Sequence, residues 1–185
     1  MVSSRFRAAQ IGFLILASLG VAPLASGQPP PKVEADQFYE FFNTVCLLNM
    51  PRLDKVRAVA RVRGWKPIKG DAALLLAPAD PAAAFEGWAA VENGRAMFVA
   101  VSEGKLDNLR KVAVCSVAST KVESAQLATV IQSALKVSIS NDKTEHGQRY
   151  RTWLGALYGQ QLIVDLLTPA DLPAGGTLSV MMQAP

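Results

Sequence analysis

The side chains best suited to catalysis or metal binding are few in this chain. Among its 185 residues there are one histidine and two cysteines. His146 follows Asp142 and Glu145 in a polar stretch, but a metal site in a protein requires three or four convergent ligands. We therefore predict no metal site and expect His146 to lie in an exposed loop.

The sequence lacks the familiar catalytic and cofactor motifs. It contains no G-x-S-x-G, C-x-x-C or G-x-G-x-x-G pattern and no P-loop, which are signatures of hydrolases, thiol oxidoreductases and nucleotide-binding proteins. Glu86, Glu92 and Glu103 could supply the paired carboxylates of a glycosidase if two of them faced each other across a cleft. We expect them instead to be solvated residues, and we predict no catalytic residue and no cofactor.

The two cysteines, Cys46 and Cys115, are predicted to form a disulfide. In an exported protein an even pair of cysteines is most simply a bonded pair. The alternative is two buried, unpaired thiols. A bond closing so long a loop would stabilise the fold by up to roughly 4 kcal/mol.

The first residues of the chain have the pattern of a cleavable export signal. Arg5 and Arg7 precede an almost unbroken apolar run at residues 11–24, and the small residues Ala25, Ser26 and Gly27 follow. We predict cleavage after Gly27, a mature chain without a transmembrane segment, and a periplasmic or secreted location. A Pro-rich spacer at residues 28–31 would then precede one globular domain at residues 32–185.

The charge balance gives no reason to expect a nucleic-acid ligand. The whole chain has 19 Lys and Arg and 15 Asp and Glu. Two of the basic residues lie in the predicted signal, so the mature chain has 17 basic against 15 acidic residues. A net charge of +2 is that of an ordinary globular domain.

The first predicted helix, residues 33–48, carries a stripe of phenylalanines. Phe38, Phe41, Phe42 and Val45 recur at helical spacing on one face. Such a stripe usually packs in a core, and the alternative is that it lines a ligand pocket. Cys46 would lie at the edge of this face.

Six cations are candidates for binding an anionic partner. Four belong to a second helix at residues 51–63 and its exit, and two lie on one face of a later strand beside Trp153. They are Arg57, Arg61, Arg63, Lys66, Arg149 and Arg151. The alternative is that these side chains only solvate the surface.

The remaining pattern predicts strands and one further helix. Asn93-Gly94 is a strong hairpin signal, the run at residues 110–117 suits a central strand, and Thr120 to Glu123 has the form of a capping box for a helix at residues 121–136. Residues 141–147 read as a polar loop. We predict an α+β domain of order α-α-β-β-β-α-β-β-β, with a mostly antiparallel sheet of five to six strands.

These features favour a small exported non-catalytic binding or accessory protein of the bacterial envelope, of the inhibitor or immunity type. Its partner would be an envelope protein or an anionic surface. Two alternatives stay open at this point: a periplasmic hydrolase with an unrecognised site, and a peripheral envelope-surface protein that uses the basic helix at residues 51–63.

Overall fold

The computed structural model describes residues 31–70, 73, 76–78, 83–105 and 110–184, which form an α+β domain. The helices are α1 (Pro31–Val45), α2 (Leu53–Val62) and α3 (Ser124–Leu135), with a short 3-10 helix at Leu47–Asn49. The strands are β1 (Lys66–Pro67), β2 (Ala84–Glu92), β3 (Arg95–Lys105), β4 (Lys111–Glu123), β5 (Ile139–Glu145), β6 (Gln148–Leu157), β7 (Gln160–Pro169) and β8 (Ala174–Gln183). The predicted signal, with its cleavage site, lies outside the described residues.

All eight described strands form one antiparallel sheet in the order β1-β2-β3-β4-β8-β7-β6-β5. The antiparallel α+β architecture is confirmed, but the prediction of five to six strands was wrong. β1 is only two residues long. β5 is an edge strand whose residues are all exposed, so it has no apolar alternation and most of it was read as a polar loop.

The sheet consists of two four-stranded meanders. In each half, helical residues precede the strands, which run in order as β1 to β4 and as β5 to β8. The last strands of the two halves, β4 and β8, pair at the centre. There Ser116 lies opposite Ser179, and their hydroxyl oxygens are 2.8 Å apart. The two halves therefore share a topology, although the sequence contains no convincing internal repeat.

The three described helices cover one face of the sheet, which we call the inner face. α1 packs across β4 and against α3. Strand alternation places Val99, Val117, Val180 and Trp153 on this face, all of them fully buried. The other face, the outer face, carries the alternate residues of every strand. The core is therefore a single helix-on-sheet layer.

The predicted disulfide is confirmed and fastens α1 to the middle of the sheet. The Cα atoms of Cys46 and Cys115 are 5.5 Å apart, and both residues are fully buried. Cys46 follows directly after α1, where Phe42 and Val45 pack into the same core cluster. No helix in the described ranges is long and apolar enough to cross a membrane.

The start of α3 differs from the predicted capping box. Thr120 lies in β4, which continues to Glu123. Glu123 is itself the N-cap, and its carboxylate accepts hydrogen bonds from the backbone N–H groups of Ala125 and Gln126 at 3.1 and 3.2 Å. Sheet pairing of β4 with β8 thus displaces the helix start by one turn, because strand hydrogen bonds outweigh the local capping preference.

Candidate functional site

A cleft of about 250 Å³ opens between α1 and the turn that joins β2 to β3. Its floor is apolar. Phe38, Phe41 and Val45 of α1 face Met97 of β3 and Val122 of β4 across it. An apolar floor inside a polar rim is the usual composition of a binding site.

Local sequence explains how the walls of the cleft form. Phe38 and Phe41 are three residues apart on α1, so they lie on the same face of the helix, and the ring centroid of Phe41 is 5.7 Å from that of Trp65. Asn93 and Gly94 both have positive φ, at 52° and 75°, as the predicted two-residue hairpin requires. The phenylalanine stripe therefore both packs in the core and lines the cleft.

The rim of the cleft carries equal numbers of acidic and basic residues, and four of them form ion pairs. The six are Glu34, Glu40, Glu92, Arg63, Arg95 and Lys121. Arg63 Nη1 lies 2.6 Å from Glu92 Oε1, and Arg95 Nη2 lies 3.7 Å from Glu34 Oε1. Arg95 also donates a hydrogen bond to Gln37. With three acidic and three basic groups, the rim does not favour a ligand of either charge.

A second concavity, of about 430 Å³, is less suited to binding. It lies beside α2 and is lined by charged residues that include Arg52, Asp54, Arg57 and Glu103. Arg52 is already paired with Asp54 at 3.0 Å, and Arg57 with Glu103 at 3.3 Å. Because these charges already have partners, the groove offers a ligand little electrostatic attraction.

Arg57, one of the predicted anion-binding residues, already holds two carboxylates. Its Nε donates to Glu86 Oε1 at 2.6 Å and its Nη2 to Glu103 Oε1 at 3.3 Å. Partial burial works against the charge of the guanidinium, but the hydrogen bonds to Glu86 and Glu103 outweigh it and raise the pKa of Arg57. Arg61 and Lys66 are exposed, and Arg63 belongs to the cleft rim.

On β6, Arg149 binds Asp142 with a two-pronged contact. Its Nε and Nη2 donate to the two carboxylate oxygens of Asp142 at 2.8 and 2.7 Å. This fork lowers the pKa of Asp142 and raises that of Arg149. The cation of Arg149 is therefore already engaged by an acid of β5.

Arg151, two residues further along β6, is only 7% exposed. Its Nη1 donates to the carbonyl oxygen of Ser124 at 3.4 Å, and its Nε has no partner among the described residues. Burial, and then the nearby charge of Arg149, lower the pKa of Arg151. A macromolecular surface cannot reach a side chain that is covered to this extent.

The six candidate cations do not form one surface. Arg57 contacts β2 and β3, whereas Arg149 and Arg151 lie on β6, four strand spacings or about 19 Å from β3. Anion binding by these residues stays a prediction.

We expect Arg57→Gln to lower the free energy of unfolding by about 1 kcal/mol or less, and Arg61→Gln to leave it unchanged. The first substitution leaves Glu86 and Glu103 without their shared cation, while Arg61 has no described ion pair to lose. Urea denaturation at low and high salt measures both effects, and high salt should shrink the first one. If the wild type binds anionic vesicles and only Arg61→Gln abolishes that binding, the helix instead contacts a membrane surface.

His146 lies in the turn between β5 and β6 and is exposed, as predicted. Within the described ranges, no group of three or more His, Cys, Asp or Glu side chains is placed to hold a metal ion. The cleft rim residues Glu34, Gln37 and Arg95 were missed at the level of sequence. They come from two segments that meet only in the fold, so no local pattern could join them.

No known protein family matches this chain, and neither a curated protein nor a solved structure is significantly similar to it. The function is therefore inferred from the geometry and chemistry of the cleft.

Proposed function

We propose that this is a small exported, non-catalytic binding protein of the bacterial envelope, of the inhibitor, immunity or accessory type. It binds a partner protein by taking an apolar segment of that partner into the cleft between α1 and the β2–β3 turn. The observation that supports this proposal is the apolar floor of Phe38, Phe41 and Met97 inside a rim of balanced charges, four of which are paired.

The size of the cleft suits one or two side chains of a partner. At about 250 Å³ it lies just below the volume range of typical small-molecule pockets. An apolar side chain inserted there would be anchored by the phenylalanines, and the polar rim would shield the contact from water, which is the arrangement of an interface hot spot. The balanced rim charge favours an uncharged segment.

The disulfide supports the exported location. Stable disulfides persist in oxidising compartments such as the periplasm or the cell exterior, and Cys46 and Cys115 are bonded and buried. Together with the signal pattern at residues 1–27, this bond is the basis for placing the protein outside the cytoplasm.

The two alternatives receive less support from the geometry. A hydrolase would need an acid and a base that converge in the cleft, but two of its three acids, Glu34 and Glu92, are held by arginines, and the third, Glu40, is exposed on α1. A membrane-surface protein would use the cations of residues 51–63, but Arg57 and Arg63 are each paired with acids of the sheet, which leaves Arg61 as the one candidate cation there without a described ion pair.

Filling the cleft should abolish binding. Thr44 is exposed on α1 and lines the cleft, so Thr44→Trp places an indole over the floor without changing the core. Peptides selected from a displayed random library on the mature wild-type protein should bind Thr44→Trp at least about tenfold more weakly, a loss of about 1.4 kcal/mol of binding free energy. Calorimetry measures the affinities.

Asp36→Trp is the matched control, because Asp36 is also exposed on α1 but does not line the cleft. This variant should bind the selected peptides as the wild type does. Equal binding by all three proteins, or selected peptides that shift no amide resonance of Phe41 or Met97, would contradict a site in the cleft.

A further inference from the structure

The charged residues on the rim of the cleft are divided between its two walls. Glu34 and Glu40 belong to α1, and no described side chain of α1 adds a cation to the lining. Across the cleft, β3 and β4 contribute the cations of Arg95 and Lys121 and no acid. A ligand that lies in the cleft therefore has carboxylates along the helix wall and basic groups along the wall of β3 and β4.

Glu40 and Lys121 are the two rim charges that have no partner within the described part of the chain. Both residues are exposed, and neither charged group takes part in an ion pair or a hydrogen bond there. The other four rim charges are already engaged in ion pairs, so a ligand would have to compete for them. Glu40 and Lys121 can bind a ligand without the loss of any contact inside the protein.

The apolar floor of the cleft lies between these two free charges. Glu40 directly precedes Phe41 on α1, and Lys121 directly precedes Val122 on β4. Phe41 and Val122 are buried residues of the floor. Each free charge is thus attached at a margin of the floor, and an apolar side chain seated on it would have a carboxylate on one side and an ammonium group on the other.

We propose that the segment bound in the cleft carries an apolar residue flanked by one basic and one acidic side chain. This inference rests on the proposed binding function and adds the chemical class of the bound segment. The basic side chain contacts Glu40, the acidic side chain contacts Lys121, and the apolar residue fills the floor. Such a segment has no net charge, in agreement with the balanced rim, whereas a segment with two like charges would be repelled at one of the walls.

Reversal of each free charge tests the proposal. Peptides selected from a displayed random library on the mature wild-type protein should share an apolar residue with an acid on one side and a base on the other. Lys121→Glu should weaken the binding of these peptides at least about fivefold, because the acid of the peptide then meets a like charge. Replacing that acid with lysine should restore binding to Lys121→Glu to within about twofold of the original affinity.

Glu40→Lys should respond in the same way to the basic residue of the peptide. Both variants should fold, because Glu40 and Lys121 are exposed and their charged groups have no described partner to lose. Calorimetry measures the affinities at low and high salt, and high salt should reduce the effects of both reversals.

The matched controls reverse the same two charges at a distance from the cleft. Lys143→Glu and Glu145→Lys change exposed residues of β5, which lies four strand spacings or about 19 Å from β4. Both controls should bind the selected peptides as the wild type does. If they weaken binding as much as the reversals at the rim, the effect is one of overall charge and the proposal is overturned.

The failure of this proposal is distinguishable from that of the binding function itself. Peptides that lose affinity for Thr44→Trp but bind Lys121→Glu and Glu40→Lys as tightly as the wild type would overturn the charge pattern and leave the cleft as the binding site. If no selected peptide binds in the cleft, both proposals fail together.

Discussion

Replacing both cysteines with alanine should lower the free energy of unfolding by about 2–4 kcal/mol and the melting temperature by roughly 5–15 °C. The bond between Cys46 and Cys115 closes a loop with a sequence separation of 69, so its loss frees many conformations of the unfolded chain. It also removes the covalent link between the end of α1 and the centre of the sheet. Thermal unfolding followed by circular dichroism measures the effect.

Reduction of the wild-type protein is the matched control for this prediction. A reducing agent should lower the wild-type melting temperature by a similar amount and should not change that of the Cys46→Ala, Cys115→Ala protein. The oxidised wild type, unfolded in denaturant, should contain no titratable thiol. Two free thiols per chain, or equal melting temperatures for the wild type and the double variant, would contradict the bond.

Truncation of Trp153 should be more destabilising than loss of the disulfide. Trp153 is fully buried on the inner face of β6 and is the largest side chain with no exposure among the described residues. Trp153→Ala should cost about 3–5 kcal/mol of unfolding free energy, since the neighbouring side chains cannot close so large a cavity. Urea denaturation of the oxidised protein measures it.

Trp153→Phe separates the contribution of volume from that of polarity. The indole Nε1 has no hydrogen-bond partner among the described residues, so the phenylalanine removes an unsatisfied donor while it keeps one ring. We expect a loss of less than about half that of Trp153→Ala. Val62→Ala, at an exposed position of α2, should stay within about 0.5 kcal/mol of wild type. If the phenylalanine and alanine variants lose equal amounts of unfolding free energy, the expectation that the indole N–H contributes no hydrogen bond is contradicted.

The local patterns of the sequence predicted much of the fold. The spacing of Phe38, Phe41, Phe42 and Val45 predicted α1, and Asn93-Gly94 predicted the hairpin between β2 and β3. These features depend on residues close together in the chain, where helical periodicity and turn geometry act directly. The pairing of Cys46 with Cys115 was also predictable, because only two cysteines are present.

Tertiary structure decided the features on which the proposed function depends. β5 is a strand only because β6 pairs with it, and Thr120 extends β4 instead of capping α3. Arg57 looked like a free cation until the fold placed Glu86 and Glu103 beside it.

The cleft and the outer face of the sheet likewise depend on contacts between distant segments. Phe41 meets Met97 in the cleft, and Val114 meets Met181 on the outer face. Sequence by itself determines which residues favour a helix, a turn or a strand. It does not show which side chains become neighbours, because strand register is set by the sum of many weak long-range contacts.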